Sequence, residues 1–283
     1  MDERRRRLER AYRDQDADAQ APLLAELIRS GSLTYERVAV AASLGHRPAN
    51  AVLSSKVDPQ EVGRVARADW PHEAHLRFCL ALCVPAEECL LSLEDSARFP
   101  PGALGRARAA AAMGVPLLEA WVLGRRDESQ LNAILEGLRT PTHLVNDLLA
   151  VTDFNPHPIP EEVELAQETP DQTVELAARA VDVVQSSLGL ALLEPAPGED
   201  DDAGDDRGRL LWYVEQQSRI VLGVPRERFG QLVTLDMRSA GLWVNQDRAG
   251  GAERLFYVVA NELIPWAIGV GDPVAERHQA RGS

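Results

Sequence analysis

Glycine and proline divide this chain into apolar segments of helical length, and this division limits the folds it can adopt. Gly31 follows APLLAELIRS, and Gly45 follows YERVAVAASL. A glycine at this position is typical of the left-handed residue that ends a helix. Proline also occurs where helices begin, because the first helical position needs no N–H donor. Such starts are the dipeptides Asp58-Pro59, Trp70-Pro71 and Thr140-Pro141.

A stop-and-restart pattern recurs as LCVP, MGVP and LGVP, which end at Pro85, Pro116 and Pro225. It predicts that one helix ends before each proline and that another begins there, with Gly114 and Gly223 in left-handed conformation. The spacing of the N-terminal examples is close to the length of a helical repeat. We therefore expect stacked antiparallel helices in a solenoid-like, helical-repeat arrangement.

The composition supports a helical chain. Hydrophobic residues make up 45% and aromatic residues only 5%, so alanine, leucine and valine must form the core, and alanine favours helices. Residues 230–247 are the one segment that alternates like a strand, and its helical flanks favour a helix there too. Trp212, Tyr213 and Trp266 lie on amphipathic segments and are predicted core residues. The predicted fold class is all-α.

Two breaks divide the pattern. Residues 153–170 contain four prolines, and residues before proline avoid the helical region. We therefore predict two lobes, 1–155 and 171–283, joined by a linker at 156–170. Residues 194–208 are acidic and lack apolar periodicity, which predicts a solvated acidic loop.

The formal net charge of −14 disfavours nucleic acid as a main partner, because phosphates are repelled by an acidic surface. No apolar run reaches the length of about 18–20 residues that a membrane helix needs, and the first residues lack the apolar stretch of a signal peptide. Three cysteines cannot all pair within one chain. These features predict a cytoplasmic protein without membrane contact.

The stretch HEAHLRFCLALCVPAEEC, residues 72–89, holds all three cysteines. At 100° per residue, one helical stripe carries His72, His75, Cys79 and Cys83. Glu73 and Arg77 point the other way, so we expect the stripe to be buried and these two to be exposed. One helix offers only two close metal ligands, here His75 and Cys79, whereas structural zinc needs four. The prediction is a core face, with His75 and Cys79 as weaker metal candidates.

A DDxxD pattern occurs at Asp201, Asp202 and Asp205. In all-helical isoprenoid synthases this pattern binds magnesium and diphosphate, and the fold class would match. Those carboxylates sit on a helix wall, whereas here they stand in a low-complexity acidic run, so we expect a solvated loop. The chain has no phosphate-binding loop, GxSxG elbow or HExxH motif,. We therefore expect no catalytic residue, bound metal or cofactor.

Two segments, GSLTYERVAVAASLGHRPANAVL (31–53) and ELIPWAIGVGDPVAERHQAR (262–281), resemble stretches of Ala/Arg-rich helical bacterial proteins of myxobacterial type. The resemblance implies an all-helical chain and transfers no ligand or catalytic residue. The function expected from the sequence is a cytoplasmic, non-enzymatic scaffold or adaptor for another protein. One alternative is a metal-dependent helical enzyme using the DDxxD segment, and another is a protein that neutralises a basic partner.

Overall fold

The computed structural model describes residues 17–54, 70–93, 102–136, 170–193, 202–224 and 249–282, together with residues 3, 6, 7 and 10. Regular structure in these ranges is entirely helical, without a strand. The all-α prediction is therefore confirmed. The solenoid-like arrangement and the division into two lobes are not confirmed. Of the predicted linker at 156–170, residues 156–169 lie outside the described residues, and Pro170 is the first residue of a helix. The segment 230–247 also lies outside the described residues.

The helices are numbered in chain order as α1 (Ala17–Arg29), α2 (Tyr35–Ser43), α3 (Arg47–Ser54), α4 (His72–Ser92), α5 (Ala103–Val122), α6 (128–136), α7 (Pro170–Leu192), α8 (Asp202–Leu222), α9 (Ala249–Val258), α10 (Ile264–Ala267) and α11 (Pro273–Gly282). A π-helical turn, Val259–Leu263, joins α9 to α10. None of these helices combines the length and apolar character needed to cross a bilayer.

α4 lies at the centre of the described part of the chain. Every residue from 74 to 83 is buried, which is typical of a helix covered on all sides. α5, α7, α8 and α9 all pack against it. Since α7, α8 and α9 follow the predicted linker, helices from both predicted lobes contribute to one core.

Three of the predicted helix ends are confirmed. Gly31, Gly45 and Gly223 have φ values of 69°, 83° and 63°, and each follows the end of α1, α2 or α8. Glycine reaches this left-handed region without the steric cost that a Cβ atom adds. α6 also has a cap at its start, because Asp127 Oδ1 accepts the N–H of Gln130 at 2.9 Å.

The predicted restart at Pro85 is wrong. α4 runs without interruption from His72 to Ser92 with Pro85 inside it, although proline removes one backbone hydrogen bond. Packing explains why the helix continues, because Pro85 is buried against α9 at Gly251. A Cβ atom on Gly251 would lie 3.4 Å from the Pro85 Cβ and 3.2 Å from Leu222 Cδ2.

The restart at Pro116 is also wrong, since α5 continues through it to Val122. Gly114 is not a left-handed helix end but an interior residue at the contact with α7. A Cβ atom there would lie 2.9 Å from Val184 Cγ1 and 3.2 Å from Leu188 Cδ1. The glycine therefore permits a close approach of two helices, which spacing along the sequence does not distinguish from a stop signal.

The acidic segment is not wholly a loop as predicted. α8 begins at Asp202, so the C-terminal half of the 194–208 stretch is helical, while 194–201 lies outside the described residues. Acidic residues are favourable in the first turn of a helix, where the helix dipole is positive.

A Gly114→Ala substitution tests the close approach of α5 and α7. We expect it to lower the free energy of unfolding by about 1–3 kcal/mol, because the new methyl group overpacks against Val184. Gly105→Ala in the same helix is the matched control, since nothing lies within 4 Å of its Cβ position. The control should stabilise by roughly 0.5–1 kcal/mol. Urea denaturation measures both, and equal effects would contradict the packing argument.

Candidate functional site

α1, α2 and α3 surround an open groove with a volume of about 550 Å³. Its lining consists mainly of small and apolar side chains: Ala21, Pro22, Ala25, Ile28, Arg29, Tyr35, Ala51 and Val52. A concave apolar surface with a few polar groups is the usual form of a binding site. This groove is the candidate functional site of the described residues.

The groove follows from the residue pattern of α1. Ala21, Ala25 and Ile28 recur at helical spacing on one face, while Leu23, Leu24 and Leu27 are buried in the core. Alanine side chains are too short to fill the space towards α3. Ala51 contributes the same small volume from α3, so the groove is a direct consequence of alanine at these positions.

Tyr35 and Arg29 are the polar residues of this lining. Tyr35 is 39% exposed, which makes its ring available for contact. Arg29 is 66% exposed and pairs with the buried carboxylate of Glu26, with a distance of 3.1 Å from Nε to Oε2. Glu36 follows Tyr35 and is exposed; its own backbone N–H and the Thr34 hydroxyl lower the pKa of this carboxyl. Glu36 therefore stays ionised at neutral pH.

The predicted burial of the Cys/His stripe is confirmed for three of its residues. Cys79 is fully buried, Cys83 is 1% exposed and His75 is 2% exposed. The His75 ring stacks on Trp70, with ring centroids 6.3 Å apart. Burial raises the pKa of the Cys83 thiol to about 12, although the Ser187 hydroxyl lowers it. These thiols are therefore protonated and unreactive at neutral pH.

Within the described residues, no group of three or more His, Cys, Asp or Glu side chains could hold a metal ion. The candidates His75 and Cys79 are thus not joined there by further ligands. Asp201 lies outside the described residues, and Asp202 and Asp205 fall in the first turn of α8 without a described side-chain position.

The expectation that Arg77 is exposed is wrong. Its side chain is only 3% exposed and forms an ion pair with Asp272, through Nη1 and Nη2 at 2.9 and 2.7 Å. Its Nε also donates to Glu73 at 3.0 Å. The helical wheel placed Arg77 opposite the buried stripe correctly, but α4 is buried on that side as well.

Trp266 lies beside the ion pair of Arg77 and Asp272, and together with Arg37 these residues form an ion and aromatic cluster. The guanidinium carbons of Arg77 and Arg37 each lie 4.6 Å from the centroid of its ring, a distance typical of cation–π attraction. Burial lowers the pKa of Arg37, while Glu73 raises it. α2, α4 and α10 are therefore connected through one ion and aromatic cluster, which the sequence alone did not indicate.

Asp272 has two functions in this cluster. Burial alone would raise the pKa of its carboxyl, but the Arg77 hydrogen bonds and charge hold it below the usual value. The same Oδ1 that meets Arg77 also accepts the N–H of Ala275 at 3.2 Å, so Asp272 caps α11. Its position before Pro273 was the available sequence signal, because aspartate before proline is typical of a helix start.

A second polar region lies between α7 and α8. Residues 215–219 of α8 are all buried although each is polar or charged. Arg179 donates to Gln217 at 3.0 Å, and the Tyr213 hydroxyl donates to Asp182 at 3.1 Å. Burial raises the pKa of Asp182.

Trp212 was predicted in the core, but it is 45% exposed, whereas Trp266 is buried as expected.

Comparison with protein-family models, with curated proteins and with solved structures found no match to this chain.

Replacing Asp272 tests the buried ion pair with Arg77. Asp272→Asn keeps a capping side chain but leaves the buried Arg77 with a weaker partner, so we expect a loss of about 2 kcal/mol of unfolding free energy. Glu73→Gln is the matched control, because Glu73 is 48% exposed; it should cost less than about 1 kcal/mol. Denaturant unfolding at neutral pH measures both variants.

The same pair predicts a pH dependence. Because folding lowers the pKa of Asp272, its contribution is complete above the unfolded pKa of about 4. It is lost as the pH falls through the folded pKa. The stability difference between wild type and Asp272→Asn should therefore shrink below about pH 4. If the difference in unfolding free energy between wild type and Asp272→Asn stays constant below about pH 4, the ionised carboxylate of Asp272 does not stabilise the fold.

Alkylation tests the burial of the thiols. In native protein at about pH 8, iodoacetamide should modify the partly exposed Cys89 and leave Cys79 and Cys83 intact, because burial keeps both thiols protonated,. After denaturation all three should react. Peptide mass spectrometry reads each site separately. Modification of Cys79 in the native protein at the rate of Cys89 would show that α4 is not enclosed.

Proposed function

We propose that this chain is a non-enzymatic adaptor that binds another protein, and that the groove between α1, α2 and α3 receives one helix of that partner. The observation that carries the proposal is the groove's apolar lining of alanine, proline, isoleucine and valine with an exposed Tyr35. Helix-in-groove recognition uses such surfaces, and tyrosine is enriched among residues that dominate binding energy.

The size of the groove suits a few side chains of an amphipathic helix. A volume of about 550 Å³ accommodates two or three large apolar residues spaced one helical turn apart. The short side chains of Ala25 and Ala51 allow the backbone of a partner helix to approach closely. The same alanines make the groove easy to block with one longer side chain.

Charge favours a basic partner. The chain carries a formal net charge of −14, which increases the rate of encounter with a cationic protein. Glu36, the residue after Tyr35 in the chain, is exposed and ionised, while the charges of Arg29 and Glu26 offset one another. We therefore propose that the bound helix has an apolar face flanked by lysine or arginine.

A protein that neutralises a basic partner is a special case of this proposal, and it requires that binding also inhibits the partner. The alternative function, a metal-dependent enzyme, is supported only by the DDxxD pattern, and none of the described side chains gives it further support. The cytoplasmic location, the similarity to Ala/Arg-rich bacterial proteins and the solenoid-like, two-lobed arrangement remain predictions from the sequence. Their support is the composition and the pattern of helix ends.

Site-specific cross-linking followed by affinity measurement tests the proposal. A photoreactive residue replaces Tyr35 in the full chain and is activated in cells of the source organism. The cross-linked partner is identified by mass spectrometry and purified. Wild-type chain should bind it, and Ala51→Arg should weaken binding at least about tenfold, because the arginine fills the groove and repels a basic helix.

Met113→Arg is the matched control, because Met113 is 55% exposed on α5 and the substitution adds the same charge away from the groove. It should bind the partner like the wild type. Equal binding by Ala51→Arg and the control would show that the groove is not the interaction surface. A cross-linked partner that is acidic would contradict the charge argument.

A further inference from the structure

The C-terminal helix α11 has little apolar surface with which to attach itself. Val274 is the only buried residue among 273–281. In α4, by contrast, the buried positions are continuous from 74 to 83. Because fixing the backbone of a helix costs conformational entropy, contacts other than apolar burial must keep α11 in place.

Two arginines supply these contacts. Arg277 and Arg281 stand four residues apart, so they share one face of α11, and both reach Glu119 of α5. Arg277 Nη2 lies 2.8 Å from one carboxylate oxygen, and Arg281 Nη1 lies 2.7 Å from the other. Glu119 itself is only 5% exposed, so both of its oxygens are satisfied inside the protein by α11.

Further polar contacts surround this pair. Arg277 Nη1 also meets Glu262 of the π-helical turn, and Arg125 meets His278. α11 therefore rests on α5 and on the π turn mainly through charged and polar atoms. Apart from Val274, its attachment is electrostatic.

The two ends of this attachment differ in exposure. At the start of the helix, Asp272 is held by Arg77, which is 3% exposed. Further along, Arg277 is 34% exposed and Arg281 is 57% exposed. Salt screens exposed charge pairs much more than buried ones. Raising the ionic strength should therefore release the C-terminal part of α11, which carries Arg277 and Arg281, while the ion pair of Asp272 with Arg77 remains.

We infer that α11 is a strap held by charge, which opens at its C-terminal end without unfolding the rest of the protein. Opening removes Arg277 and Arg281 from the Glu119 carboxylate. The open strap thus presents a carboxylate that the closed strap neutralises. This device does not depend on the proposed groove.

Hydrogen exchange with mass spectrometry on the full chain tests the strap. Between about 0.05 and 1 M NaCl, the peptide covering 273–283 should lose protection, while peptides from α4 and α5 stay protected. The double variant Arg277→Gln/Arg281→Gln should reach the same open state at low salt, with about tenfold faster exchange in that peptide.

Arg209→Gln is the control, because Arg209 is 73% exposed on α8 and its loss removes one positive charge elsewhere. It should leave exchange of the 273–283 peptide unchanged at low salt. If α11 remains as protected as α4 at high salt and in the double variant, apolar packing holds it and the strap is excluded. Simultaneous loss of protection in α4, α5 and α11 would also overturn the inference, because opening would then be global unfolding.

Discussion

The ion pair between Arg77 and Asp272 is the interaction on which the rest of the described structure depends. Arg77 sits in the middle of α4, where its side chain is 3% exposed, and an unpaired charge in such a place costs several kcal/mol. Its partner lies near the other end of the chain, so α4 is complete only when the C-terminal segment has docked. Trp266 adds the aromatic face that both Arg77 and Arg37 approach.

Close helix packing depends on a few small residues. Because Gly114 has no side chain, Val184 and Leu188 pack closely against α5, and Gly251 lets Pro85 pack closely against α9 in the same way. Aromatic residues are scarce, so alanine and glycine set the distances between helices and leucine and valine fill the remaining space. The same use of alanine on α1 and α3 leaves the groove unfilled at the surface, which connects the composition of the core to the candidate binding site.

Much of the fold could be predicted from local signals. The all-helical class, the ends of α1, α2 and α8, the start of α4 and the burial of Cys79 and Cys83 all followed from helix propensity, glycine at helix ends and 100° periodicity. The continuous course of α4 and α5 could not be predicted, because the stop at Pro85 or Gly114 is overruled only by contacts with α9 and α7. The alanines of α1 and the spacing of Arg277 and Arg281 are visible in the sequence, but the partners that make a groove or an ion pair of them, α3 and Glu119, lie far away along the chain.

The amino-acid sequence by itself determined that this protein is helical, acidic and built on alanine and leucine, since these properties depend on single residues and their nearest neighbours. The tertiary structure decided which charges are buried. Arg77 meets Asp272 across almost two hundred residues, and Glu119 meets Arg277 and Arg281 from a distant helix. The reason is physical: burial of a charge is favourable only with a partner, and the fold alone selects that partner.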